Sequence, residues 1–187
     1  DWGDSSSSNI TSWNDPASTH AYTTAGDYTV KITGTLPAWD LFARSASRDQ
    51  LIAVPLLGEL GFEDLSTAFY GARYLKFVGG GDTSQVTDMS AIFSNGGRNL
   101  ESTLSLDLTN WNTSNVTNLD SAFNYSKISG NFSTIDTSNV QSMHSIFYGT
   151  STFDSADLNS WNTSNVTTLQ SAFRWTSFLN LDVNQWD

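Results

Sequence analysis

Trp111-Asn112-Thr113-Ser114-Asn115-Val116-Thr117 returns as Trp161-Asn162-Thr163-Ser164-Asn165-Val166-Thr167. Asp136-Thr137-Ser138-Asn139-Val140 stands between the two copies, and Asp82-Thr83-Ser84-Gln85-Val86 precedes all three. Self-similarity at a near-constant interval marks a chain built by stacking small units, none of which can bury its own apolar face. The function of such a chain is expected on an extended surface rather than in a pocket.

Each valine is followed by an apolar residue three positions on and a Phe four beyond that. The series runs Val86/Met89/Phe93, Val116/Leu119/Phe123, Val140/Met143/Phe147 and Val166/Leu169/Phe173, with Phe62/Leu65/Phe69 as a degenerate first copy. Steps between successive closing phenylalanines are 24, 30, 24 and 26 residues. Apolar residues at i, i+3 and i+7 form one stripe on a helix. The Thr-Ser-Asn ahead of each stripe offers oxygens to the first N–H groups, so the pattern predicts five short, capped helices. Before the helices the period changes to two, in Leu104-Ser105-Leu106-Asp107-Leu108 and in Leu179-Asn180-Leu181-Asp182-Val183, as expected of strands with one buried face. Trp111 and Trp186 follow these runs, and Ile135 and Trp161 hold the equivalent places in the other copies. A small residue stands three after each Phe: Ala72, Gly96, Ser126, Thr150 and Thr176. These read either as a ladder at a tight return or as ordinary loop composition. The expected fold is an α/β repeat solenoid of leucine-rich-repeat type, with one short strand and one short helix per repeat, behind a small β-rich N-terminal cap.

The run Thr-Ser-Asn-Val-Thr, then Met or Leu, then Ser-Ala-Phe, resembles the BspA-type leucine-rich repeats of bacterial surface proteins. Trp111 to Phe123 and Trp161 to Phe173 match over their whole length, and Asp82 to Phe93 and Asp136 to Phe147 with one or two changes. That family often carries Gly-Cys after the closing Phe. This chain has no Cys, and the small residues above take those places. The Trp2-Gly3-Asp4 turn, His20-Ala21-Tyr22 and Gly26-Asp27-Tyr28-Thr29-Val30 are similar to the second half of a PKD-like β-sandwich. The implied organisation is a PKD-like β-rich cap segment over 1–34, a transition over 35–61 and about five BspA-type repeats over 62–187, the last incomplete. The resemblance implies an extracellular surface or adhesion module, on a cell or on a virion.

Eight cationic and 19 acidic residues give a formal charge of −11. Nucleic acid is a poor partner for such a surface, because phosphate binding needs a basic face that releases counterions. Anionic membrane surfaces are disfavoured for the same reason, and no apolar run reaches the length of a membrane helix. The net charge points instead to a neutral or cationic partner, such as a glycan or protein on a host or neighbouring cell. The chain opens at Asp1 and stops at Trp186-Asp187, where another Asp-Thr-Ser-Asn-Val would begin. It therefore reads as a piece of a longer protein. A structural role follows as the alternative: a spacer or assembly element of a fibre, filament or virion, joined to copies of itself.

No catalytic constellation can be read. His20 and His144 are the sole histidines, and Gly79-Gly80-Gly81 lacks the Lys-Ser/Thr of a phosphate loop. No cofactor is implied beyond calcium, for which Asp1, Asp4, Asp15 and Asp27 are the candidate ligands; turn formation explains the same residues. Seven Asn-x-Ser/Thr sequons begin at Asn9, Asn112, Asn115, Asn124, Asn131, Asn162 and Asn165, most inside the repeated motif, where capping accounts for them. The candidate ligand-binding surface follows each Phe: Tyr70, Tyr125, Tyr148 and Trp175, with Asn124 and Arg174 beside two of them. Stacked copies would align these rings along one edge. That edge serves equally as a sugar- or peptide-binding strip or as a seal between repeats.

Overall fold

Parallel pairing between neighbouring repeats organises the chain. The computed structural model describes residues 1–187 apart from Trp13, 43–44, 99–102, Asp154, 179–182 and Asp187. It divides into two compact units, Asp1–Gly34 and Thr35–Asp187.

In the larger unit, strands β1 (Ala53–Val54), β2 (Phe77–Val78), β3 (Leu104–Leu106) and β4 (Ile128–Gly130) form one parallel sheet in chain order. A bridge from Lys127 to Ser151 carries the pairing on to β5 (Ser151–Phe153), which pairs in parallel with β6 (Ser177–Phe178). The alternation read in Leu104-Ser105-Leu106 is that of β3, with both leucines buried and Ser105 exposed. The second predicted strand falls on 179–182, outside the described residues. A second parallel ladder of single bridges joins Ala38, Asp64, Asp88, Asn118, Ser142 and Thr168 in succession. The stretch read as a transition thus supplies the first rung, through Ala38 and β1. Repeats paired in register along two ladders are consistent with a repeat solenoid.

The predicted helices do not form. Each apolar stripe instead runs through chained turns, and its N–H groups alternate between two destinations. Met89, Ala91, Phe93 and Asn95 donate to the carbonyls of Asn118, Asp120, Ala122 and Asn124 in the next repeat, at 2.8 to 3.1 Å. Ile92, Ser94 and Gly96 donate back three residues, to Met89, Ala91 and Phe93. The same alternation recurs in the copies closing at Phe69, Phe123 and Phe147. Two residues per copy adopt the left-handed conformation, four positions apart: Thr67 and Gly71, Ala91 and Asn95, Ser121 and Tyr125, Ser145 and Gly149, Ser171 and Trp175, with φ from +50° to +66°. A right-handed helix excludes such residues. The chained turns still put Val, Met or Leu, and Phe on one side, so the spacing matches a helical stripe without the helix.

Thr-Ser-Asn-Val is a stacking motif rather than a helix cap. It closes a turn, from the valine N–H to the threonine carbonyl, at 2.8 to 3.0 Å in all four copies. Threonine reaches forward: Thr83, Thr113 and Thr137 Oγ1 donate to Asn112, Asp136 and Asn162 carbonyls at 3.0, 3.1 and 2.9 Å. Asparagine reaches back: Asn115, Asn139 and Asn165 Nδ2 donate to Ser84, Ser114 and Ser138 carbonyls at 2.8, 2.7 and 2.6 Å. Five of the seven sequon asparagines are occupied in this way or in turns: Asn115 and Asn165 in the ladder, and Asn112, Asn131 and Asn162 through Oδ1, which accepts from the backbone of Ser114, Ser133 and Ser164.

Phe69, Phe93, Phe123, Phe147 and Phe173 stack face to face, with centroids 5.4, 6.0, 5.3 and 5.9 Å apart. The separations follow the strand spacing of about 4.8 Å, because each ring rides on its own repeat. Trp111, Trp161 and Trp186 donate their indole N–H to the carbonyls of Gly79, Phe132 and Leu158 in the preceding repeat. The small residues after each Phe form a ladder: Ala72, Gly96, Ser126 and Thr150 are buried and Thr176 half-buried. Ser126 and Thr150 hydroxyls donate to the Phe123 carbonyl, and Thr176 to that of Phe173. Gly79 and Gly81 lie where a neighbouring chain passes: a Cβ on Gly79 would stand 2.2 Å from the Pro55 carbonyl oxygen, and one on Gly81 2.7 Å from that of Gly58.

The smaller unit corrects the expectation of a β-rich cap. Among its described residues no strand forms, and its sole helical element is the 3-10 turn Pro16–Ser18. Asp1 and Lys31 exchange two backbone hydrogen bonds. The unit is organised around a run of rings, Trp2–His20 at 5.0 Å, His20–Tyr22 at 4.6 Å and Tyr22–Tyr28 at 4.0 Å. The sequence marks of a sandwich strand are met here by aromatic contacts in a segment too short to complete a sheet.

Candidate functional site

The two residues after each closing Phe are set by the turn that contains them. The second is left-handed in every copy, and its occupants are Gly71, Asn95, Tyr125, Gly149 and Trp175. Gly and Asn take this conformation at little cost, whereas Tyr and Trp do not. Where the second residue is Gly, the first is the aromatic: Tyr70-Gly71 and Tyr148-Gly149. Where the second is aromatic, the first is polar: Asn124-Tyr125 and Arg174-Trp175. Four copies thus supply one ring each, and the copy with Ser94-Asn95 supplies none.

The structure brings Tyr125, Tyr148 and Trp175 together, with centroids 5.2 and 5.1 Å apart. Tyr125 lies against Gly149, whose Cβ, if present, would meet its ring at 2.6 Å. Arg174 stacks on Trp175 with its guanidinium carbon 4.8 Å from the ring centroid, and Trp175 remains 66% exposed. Burial first, and the neighbouring Tyr125 phenol second, hold the Tyr148 phenol above its ordinary value. Tyr70 stands apart, packed on Phe42 at 4.9 Å with Arg48 over its ring at 5.9 Å. Between Tyr70 and Tyr125 the small residues of the Ser94-Asn95 copy leave an open cleft of about 440 Å³, lined also by Arg98 and Asn124. Arg98 bonds Asn95 Oδ1 at 3.2 Å and lies 5.4 Å over the Tyr125 ring.

Sequence reasoning missed Arg98, Arg48, Asn95 and Phe42. Arg98 and Asn95 were within reach, because both lie within five residues of Phe93. Arg48 and Phe42 come from a stretch with no repeat signature.

The acidic residues proposed for calcium do not assemble. Among the described residues no group of three or more His, Cys, Asp or Glu is placed to hold a metal ion. Asp1 accepts from the Gly3 N–H, Asp4 from Ser6, and Asp15 from Thr11 and Ala17. Asp27 has no part in these turns. Asp4 also bonds His20 Nε2 at 2.7 Å; the Ser6 hydroxyl first and His20 second hold its pKa down at about 2. His144 donates its backbone N–H to Asp120 at 2.7 Å. No described helix is long and apolar enough to cross a membrane.

Repeats paired in parallel, with a shared ring stack inside and an aromatic edge outside, define a tandem-repeat protein. Residues 63–186 match the family described as Mycoplasma protein of unknown function, DUF285, and the chain belongs to that family. No curated protein and no solved structure matches it.

Proposed function

We propose that residues 35–187 form a BspA-type repeat solenoid acting as a non-catalytic extracellular module, which recognises a glycan or protein through the edge Tyr125–Tyr148–Trp175. The observation that carries this reading is Trp175. A large ring is held in a conformation that disfavours it, 66% exposed, with an arginine stacked on its face. Backbone strain kept at an exposed aromatic residue is a mark of recognition surfaces, where Trp, Tyr and Arg dominate binding. The likeness of the repeats to bacterial surface repeats, and the PKD-like marks of residues 1–34, support a place outside the cell or on a virion.

The test is a glycan and whole-cell binding screen of the chain beside a Tyr148→Ala/Trp175→Ala variant. Binding lost in the variant, with the melting transition retained, is the expected result. Binding that survives both substitutions, or none by either protein, would sink the edge reading.

A further inference from the structure

The net charge of −11 hides a local reversal of sign. The five residues after each closing Phe, 25 in all, contain four of the eight cations (Arg73, Arg98, Lys127 and Arg174) and none of the 19 acids. Arg48, from outside the repeats, also folds onto this edge over Tyr70. Arg73 is neutralised by an ion pair with Asp49, which depresses the Asp49 pKa. No carboxylate of a described residue pairs with the guanidinium of Arg98 or Arg174. Both are exposed, and each lies over an edge aromatic. Charge on the rest of the surface is screened beyond about 8 Å at physiological salt, so a ligand seated on the edge meets these arginines first.

We infer that the edge takes a carboxylated saccharide, whose sugar faces lie on Tyr125, Tyr148 and Trp175 and whose carboxylates pair with Arg98 and Arg174. Planar guanidinium groups bind carboxylates through two parallel hydrogen bonds, and aromatic faces take the apolar side of a sugar ring. Asn95 and Asn124 line the cleft beside Arg98 and bring amide groups to a hydroxyl-rich ligand. A single-stranded nucleic acid would also use rings and arginines, but the few cations of this edge set in a strongly acidic chain do not provide a phosphate track. The inference rests on the edge reading above and replaces the neutral or cationic partner expected from net charge.

The experiment is titration calorimetry of the chain with sialylated and hexuronate oligosaccharides, their carboxyl-reduced counterparts and a single-stranded oligonucleotide. At least one carboxylated saccharide is expected to bind about tenfold or more tighter than its reduced form, the scale of one charge-assisted hydrogen bond. Arg98→Gln/Arg174→Gln should erase that preference, so that the acid and its reduced form bind the variant alike. Near-UV circular dichroism checks the fold of the variant. Equal binding of acid and reduced forms, a preference that survives in the arginine variant, binding of the oligonucleotide alone, or no saccharide binding would each overturn the inference. The cell screen separates the two readings. If cell binding still depends on Tyr148 and Trp175 when the acid preference is absent, only the anionic ligand class falls; if it does not, the edge falls with it.

Discussion

Gly149 and Trp175 occupy equivalent places in neighbouring copies, with φ of +65° and +60°, and they answer opposite demands. At Gly149 a side chain is excluded twice, by the left-handed backbone and by the Tyr125 ring 2.6 Å from where a Cβ would stand. Gly149→Ala should therefore lower stability by about 1–2 kcal/mol in urea titrations and displace Tyr125, visible as a change in near-UV dichroism. At Trp175 the side chain is present against the backbone preference and is largely solvated. Trp175→Asn places a residue suited to this conformation, as Asn95 already is, and should change stability by no more than about 1 kcal/mol while abolishing edge-dependent binding. A loss of several kcal/mol in that variant would mean the indole serves the fold. The rings of this edge were legible because they recur after each Phe. Their grouping was not, since it depends on which of two adjacent positions carries the ring, and that follows from a left-handed turn the helical reading did not contain.

At the scale of one element, Thr-Ser-Asn-Val shows why a capped helix was expected and a stacked turn formed. Both structures need hydroxyl and amide oxygens near free N–H groups and an apolar stripe behind them. The separating signal is that the threonines and asparagines recur with little variation, which a cap tolerates poorly as an explanation and an in-register ladder requires. Thr113 makes the difference measurable. Its buried hydroxyl donates to the Asp136 carbonyl at 3.1 Å and accepts from the Asp136 N–H at 2.8 Å, so it serves both backbone groups of a residue one repeat away. Thr113→Val keeps the shape and orphans both, and should cost about 2 kcal/mol. Ser114→Ala in the same turn loses only a bond to the exposed Asn112 side chain at 2.7 Å and should cost less than about 0.5 kcal/mol. A helix cap would spread the losses differently, because its oxygen would serve N–H groups of its own turn. The strand periodicity of Leu104-Ser105-Leu106 was readable because it depends on one buried face alone. Every second N–H in the chained turns has its partner 23 to 29 residues away, beyond the reach of a local pattern.

For the whole molecule, acid is the condition that separates net charge from local bonding. A chain of charge −11 whose folded state suffered chiefly from self-repulsion would hold its carboxyls above their ordinary values, and lowering the pH would stabilise it. The resolved carboxyl shifts run the other way. Asp82 is held low first by the Ser84 N–H, Asp107 by a side-chain bond to Thr109, Asp136 by one to Ser138, Asp49 by its bond to Arg73, and Asp4 and Asp15 by partners in their own turns. For each of these groups the unfolded chain binds the proton more readily than the folded one. Their stabilisation is therefore complete above the ordinary carboxyl value of 3.8 and is lost as pH falls below it, towards about 2 for Asp4. Melting temperature should be nearly flat from neutrality to about pH 5 and then fall steadily to pH 3. Asp136→Asn should flatten the lower part of that curve, because the amide oxygen still accepts from Ser138 but no longer titrates. A melting temperature that rises between pH 5 and pH 3 would show that repulsion among the 19 acids outweighs the turns they close.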